Sequence, residues 1–405
     1  MKVLLVNKFL YPKGGSETYI LKLGEILRNN GHEVWYFGLE NEKNTVGNGV
    51  DSYVSDIDFA KGVAKNLKAP FRIIYSSEAR KKIRRVLDEF KPDVVHLNNI
   101  QFHLTPSIIL EIENYRRQNN KELRIVYTAH DYQLICPSHG LFDNNLDVCE
   151  NCLGGNYLHC IKKKCVKNSR AKSILATMDA YLWRNSKAYD YVDAIICPSE
   201  FLKRKLDSQS RFVSKTTALH NFIEDEQDNI PYEKKGYILE FGHLSKDKGT
   251  LTLLDAAKRM GNIRFVFAGY GAAVEEIKKV PNAEYVGFKT GAELKKLIGE
   301  ALCTVCPSEM YENCPYSVME SIKLSTPVVG ANIGGIPELI DEGSNGLLFT
   351  AGDSQELEQK LRYLAENHDI AESFSNNCKT AELETTQSYF NKLMEIYNGN
   401  KSFLS

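Results

Sequence analysis

Short apolar runs, each followed by a turn and then a helical pattern, recur along this chain, and that alternation limits its fold more than any single residue does. Lys2 to Val6 reads as a strand, Lys13-Gly14-Gly15-Ser16-Glu17 as a turn, and Ile20, Leu23, Ile26 and Leu27 as the apolar face of a helix stopped at Asn30-Gly31. A second strand follows at Val34 to Phe37. Similar runs appear at Val94 to Leu97, Ile125 to Thr128 and Ala194 to Cys197, and again at Tyr237 to Phe241, Phe265 to Ala268, Tyr285-Val286 and Cys303 to Cys306. Strands this short and apolar suit parallel sheets covered on both faces, so the pattern predicts α/β architecture with doubly wound, Rossmann-like domains. The polar stretch Glu224 to Gly236 interrupts it after Leu219-His220-Asn221-Phe222, which divides the chain into a first domain over 1–220 and a second over 221–385. Tyr389 to Tyr397 has helical spacing and places a terminal helix within 386–405.

Composition removes several function classes. The 405 residues carry 51 basic and 52 acidic side chains, a net charge of −1, so nothing draws the whole molecule to nucleic acid or membrane and no nucleic-acid partner is expected. The opening run MKVLLV is too short for a signal peptide, and no segment approaches the ~18 apolar residues of a membrane span. A cytoplasmic chain is expected, with its ten cysteines as thiols or metal ligands rather than disulfides. One local exception to the charge balance is 61–85, where Lys61, Lys65, Lys68, Arg72, Arg80, Lys81, Lys82, Arg84 and Arg85 surround Phe71, Ile73, Ile74 and Tyr75. Such a run either holds a helix peripherally on an anionic membrane, here the inner face of the plasma membrane, or forms a solvated helical face.

Ligands of parallel sheets collect where strands end. Gly14-Gly15 follows the first strand without the third glycine of a dinucleotide fingerprint, which argues against a nicotinamide cofactor. The pair either lets a ligand approach the backbone at Gly15 or makes a tight turn. Asn98, Asn99 and His103 follow the third strand, and Ala129-His130-Asp131-Tyr132 the fourth. His130, at a strand end and followed by an acid, is a candidate for a functional rather than a structural histidine. A cysteine-rich insert comes next, at 136–165. Cys149, Cys152, Cys160 and Cys165 have spacings that a structural zinc site can use, with free thiols as the equal alternative. Four thiolates would leave no open position for chemistry.

The densest cluster of candidate residues lies between Ser308 and Glu338. Glu312 and Glu320 are separated by seven residues, and Pro315 between them starts a helix. The free N–H groups of that first turn, near Tyr316 and Ser317, would lie between the two acids and suit a phosphate. A ligand with phosphates in the middle and hydroxylated rings at both ends is a nucleotide sugar. Pro307-Ser308, Glu312, Glu320-Ser321, Pro327-Val328-Val329 and Gly334-Gly335-Ile336-Pro337-Glu338 together resemble the Glu-x7-Glu segment of retaining glycosyltransferases of family 4. Asn313-Cys314-Pro315 stands where that family usually has Gly-Phe-Gly. Gly242-His243-Leu244 and Lys248-Gly249 resemble its second phosphate-binding loop, with His243 in place of the usual arginine. His130 matches the histidine that the family turns toward the reacting sugar.

The resemblance covers nearly the whole chain except the cysteine insert. It implies a GT-B fold, two doubly wound domains facing across a cleft, with the acceptor on the first, the nucleotide sugar on the second and the terminal helix crossing back. It implies that Gly15, Gly242, His243, Lys248, Glu312, Tyr316, Ser317 and Glu320 bind the donor and that His130, Lys248 and Glu312 serve catalysis. No catalytic metal is required. The expected activity is retaining transfer of a hexose-type sugar to a glycan or lipid-linked glycan hydroxyl, in exopolysaccharide or cell-envelope assembly. An epimerase or hydrolase on the same scaffold, or a non-catalytic nucleotide-sugar-binding protein, are the alternatives.

Overall fold

The computed structural model describes residues 1–56, 74–119, 122–224 and 232–400. It holds two sheets of six strands, parallel throughout. The first consists of β1 (Lys2–Val6), β2 (Glu33–Phe37), β3 (Val94–Leu97), β4 (Arg124–Thr128), β5 (Ala194–Cys197) and β6 (Thr216–Ala218), in the order β2-β1-β3-β4-β5-β6. The second consists of β7 (Ile238–His243), β8 (Phe265–Tyr270), β9 (Ala283–Gly287), β10 (Cys303–Cys306), β11 (Val328–Ala331) and β12 (Gly346–Phe349), in the order β12-β11-β10-β7-β8-β9. In each sheet the strand order reverses beside the first strand, which opens a crevice at the strands' carboxyl ends. These are two Rossmann-like α/β domains in a GT-B arrangement.

Side chains alternate between the faces of a strand, and β1 shows both faces covered. Leu4 and Val6 enter one core with Val86, Leu87 and Phe90, while Val3 and Leu5 enter the other with Leu23 and Leu27. That second core also receives Tyr389, Leu393, Ile396 and Tyr397 from the terminal helix Thr386–Asn398. A capping box between Thr385 and Ser388 starts this helix, and Gly399, at φ 78°, ends it. Buried hydroxyls are satisfied across the junction: Tyr19 and Tyr389 share a hydrogen bond, and Tyr397 meets His96 Nδ1 at 2.7 Å. The end of the chain is thus a structural part of the first domain.

β7 and β8 each run two residues beyond the apolar pattern. Gly242 pairs with Gly269 and His243 with Tyr270. A Cβ on Gly269 would stand 1.9 Å from the Gly242 carbonyl oxygen, so this extension needs glycine, which apolar periodicity does not register.

Of the basic run, 61–73 lies outside the described residues. The remainder belongs to the helix Ser77–Phe90, where Arg80 and Arg84 are both paired with Glu111. All ten cysteines are free thiols. Cys152 and Cys160 are buried with Tyr157 in a small core of the insert. Among the described residues no group of three or more His, Cys, Asp or Glu side chains is placed to hold a metal ion.

Leu393 is fully buried. Leu393→Ala is expected to cost the first domain about 2–5 kcal/mol, as large-to-small core changes do. A urea unfolding curve with an unchanged midpoint would show that the terminal helix contributes nothing to that core.

Candidate active site

Two loops meet where β7 and β10 end. The first turns through Gly249, at φ 76°, where a Cβ would stand 1.8 Å from the Pro307 carbonyl oxygen of the second. Only glycine permits that approach, and it brings Lys248 to Glu312, with Nζ and Oε1 2.5 Å apart. Ser308 Oγ lies 3.2 Å from the same carboxylate oxygen. Burial opposes the charge on Lys248, but the adjacent Glu312 outweighs it and holds the amine above its ordinary pKa. From the other side Gly335 N–H donates to the Glu312 carbonyl at 2.7 Å. Cβ atoms on Gly334 and Gly335 would fall 2.3 Å from Glu312 O and 1.8 Å from Asn313 O. The Gly-Gly-Ile-Pro-Glu segment is thus the floor on which the Glu312 backbone rests.

Pro315 is the N-cap of the helix Tyr316–Lys323, and no side chain caps it. Its first-turn N–H groups near Tyr316 and Ser317 are left to a ligand, with the positive end of the helix behind them. Glu320 sits one turn further along. Burial pushes its carboxyl up to about 7, against a smaller opposing pull from Lys22.

A cleft of about 620 Å³ joins these groups to the first domain. Gly15, His130, Gly242, His243, Lys248, Glu312, Tyr316, Ser317 and Glu320 all line it. His243 ends β7 with its ring edge-on to Tyr270, centroids 5.2 Å apart. Gly15 opens the helix Gly15–Asn29 opposite Tyr316, where an added Cβ would come within 3.9 Å of Cδ2. Neither Gly14 nor Gly15 has a positive φ, and an added Cβ at either would meet only ordinary contacts, so neither backbone conformation nor protein packing demands glycine there.

His130 is held from beneath. Asn98 Nδ2 faces the carbonyls of Val6 and His96 at 3.4 Å each, so its Oδ1 is presented to His130 Nε2, 2.8 Å away. His130 therefore donates from Nε2 and keeps Nδ1 as its acceptor. Burial lowers its pKa to about 3, so the ring stays neutral at physiological pH. His103 is not part of this group; it is buried near Asp56.

Several cleft groups escaped the sequence reading. Asn313 donates to the His130 carbonyl at 2.8 Å and accepts from Tyr132 OH at 2.7 Å, so it joins the two domains. It was legible only as a departure from Gly-Phe-Gly. Glu338 accepts from the N–H groups of Glu200 and Phe201 at 2.7 and 2.6 Å and pairs with His220 at 3.0 Å, a second tie across the cleft. Glu150 of the insert bonds Tyr311 OH at 2.6 Å, which brings the insert against the second domain. Glu240 accepts from Thr250 Oγ1 at 2.8 Å, while its Oε2 has no protein partner. Burial pushes Glu240 up to about 8, so near neutrality it is predominantly the protonated acid, able to donate a hydrogen bond in the cleft. Its position inside an apolar strand gave no outward signal.

The arrangement offers the cations Lys248 and Lys289, unpaired helix amides and a protonated acid on the second domain, facing a neutral imidazole on the first. Residues 13–227 match Glycosyltransferase Family 4 and residues 221–381 match Glycosyl transferases group 1, so the chain belongs to the family 4 glycosyltransferases. It is 24% identical over 365 residues to a 42.6 kDa protein of the cps region of Klebsiella pneumoniae, covering 84% of this chain and 87% of that one. It is 29% identical over 188 residues to the amylovoran biosynthesis glycosyltransferase AmsK of Erwinia amylovora, 42% of this chain but only 46% of that one. Among solved structures, Anabaena Alr3699/HepE in complex with UDP superposes with a TM-score of 0.67 at 15% identity, over 98% of this chain and 100% of that one.

The raised Glu320 pKa sets a pH test. An acid whose pKa rises on folding binds more protons folded than unfolded, so its contribution to stability falls as pH rises from its ordinary value of 4.5 toward about 7. Glu320→Gln removes that loss. Its stability relative to wild type should increase between about pH 5 and pH 8 in chemical denaturation, and a pH-independent difference would contradict the assignment.

Proposed function

We propose that this protein transfers a sugar from a nucleoside diphosphate donor to a hydroxyl acceptor with retention of anomeric configuration. The carrying observation is the convergence of Lys248, Glu312 and the uncapped amides near Tyr316 and Ser317 at one strand-order reversal, facing His130 across the cleft. The bond from the anomeric carbon to the diphosphate breaks as the bond to the acceptor oxygen forms. Charge separation dominates that barrier, so fixed donors around the phosphates contribute most. Lys248 and the helix amides would hold the diphosphate, with His243 and the protonated Glu240 beside them. Glu312 would hold sugar hydroxyls, Glu320 the ribose diol, and Nδ1 of His130 would accept from a hydroxyl of the donor sugar.

His130, with a pKa of about 3, is too weak a base to take the acceptor proton near neutrality. That supports proton transfer to the departing phosphate oxygen on the same face. Similarity to AmsK and to a protein of a cps region supports a place in exopolysaccharide or cell-envelope glycan assembly, on a glycan or lipid-linked glycan acceptor. No helix among the described residues is long and apolar enough to cross a membrane, and we place the protein in the cytoplasm.

NMR of the purified protein with UDP- and GDP-sugars, with and without hydroxyl acceptors, tests the reading. Acceptor-dependent donor loss with a retained anomer is the expected result; turnover without acceptor would point to a hydrolase or epimerase, and inversion would overturn the stereochemical claim. Glu312→Ala and Lys248→Ala should each lower the transfer rate by at least about 10²–10³-fold while the thermal melt shows a folded protein. Near-wild-type transfer by either variant would remove that residue from the site.

A further inference from the structure

The insert leads into the helix Arg170–Asn185, and this helix is unusual in what it leaves uncovered. Its inward face is accounted for: Ser173, Ala176, Thr177 and Trp183 are buried, Thr177 Oγ1 donates to the Tyr157 carbonyl at 3.3 Å, and Tyr181 OH accepts from Tyr157 N–H at 3.1 Å. Its outward face carries Ile174, Met178 and Leu182, exposed to 39%, 51% and 41%. The four-residue spacing sets them in one stripe along the helix. Leu158, 50% exposed, stands on the neighbouring short helix Leu158–Lys163. Single exposed apolar residues need no explanation, whereas a helical stripe with no partner does.

The surrounding charge narrows the choice of partner. Residues 158–187 contain eight Lys or Arg and a single acid, Asp179, in a chain whose net charge is −1. Asp179 is itself pushed up to about 7 by burial, so it offsets little of that charge. Lys162, Lys164, Lys167, Arg170 and Lys172 are exposed and make no ion pair among the described residues. An acidic polysaccharide would meet the lysines and leave the apolar stripe in water. A bilayer surface takes both, since the apolar side chains enter the boundary between headgroups and acyl chains while the bases meet anionic headgroups.

We propose that Ile174, Met178 and Leu182, with the basic residues at 162–172, form a docking surface for an anionic phospholipid membrane. The surface does not depend on the transfer reaction, and Tyr75, within the basic run at 61–85, stacks on Trp183 of the same helix with centroids 6.2 Å apart. Because His139 and Gly140 of the same insert line the cleft, a membrane seated here would bring lipid-borne hydroxyls to the first-domain side of the site.

Co-sedimentation of the full chain with phosphatidylcholine vesicles, with and without phosphatidylglycerol, provides the test. Wild type should bind only the anionic vesicles and be released by salt. The triple variant Ile174→Ser, Met178→Ser, Leu182→Ser changes exposed positions only and should bind at least about tenfold more weakly. Reversing Lys162, Lys164 and Lys167 to Glu should weaken binding by about a hundredfold. Thermal melts of both variants serve as the folding control. No binding by wild type, or undiminished binding by the variants, overturns the proposal. So does sedimentation showing a dimer that the triple variant breaks, because a second copy would then be what covers the stripe.

Discussion

The contact between Lys248 and Glu312 depends on backbones approaching more closely than any side chain would allow. Gly249 admits the carbonyl of Pro307, and Gly334 and Gly335 admit the backbone of Glu312 and Asn313. With those glycines the carboxyl ends of β7 and β10 close on each other, and a cation and an acid meet at the mouth of a helix. Substitution at any of the three would move the loop that carries Glu312, and with it the start of the helix Tyr316–Lys323.

Near this pair burial keeps two of the cleft's titratable groups neutral. His130 is neutral because burial removes its charge, and Glu240 is mainly protonated near pH 7 for the same reason. Charged partners on every wall would bind a nucleotide sugar and its separated products alike. In the proposed transfer, fixed charge at Lys248 with uncharged donors and acceptors nearby would favour the state in which a departing diphosphate carries the most charge.

The cleft is bridged by contacts from both domains rather than left as a gap between two bodies. Asn313 reaches His130 and Tyr132, Glu338 caps the helix Glu200–Asp207, and Tyr311 meets Glu150 of the insert. Each tie joins a loop near Glu312 to a strand end or helix start of the first domain. The insert therefore touches the second domain as well as the first, while the helix that follows it presents the basic and apolar surface outward.

Alternation of short apolar runs with helical patterns was enough to read two parallel α/β domains, because burial of a parallel sheet on both faces leaves a mark at most strands, though the short β6, β11 and β12 were not read as such. Most of the nine donor-site and catalytic candidates, from Gly15 to Glu320, were legible because they lie near a strand end or helix start, several marked by glycine or proline, and all nine line one cleft. What the chain does not display locally is partnership between distant segments. The tautomer of His130 rests on Asn98, the roles of Asn313 and Glu338 on residues more than a hundred positions away, and the neutrality of Glu240 on its burial within β7. Cysteine spacing allowed thiols or zinc ligands in the insert but not the packing of Cys152 and Cys160 against Tyr157, because spacing limits reach and does not set direction. Sequence determined the architecture and the chemistry available; tertiary packing decided which groups carry charge and which face one another, since desolvation and contact exist only once the chain has folded.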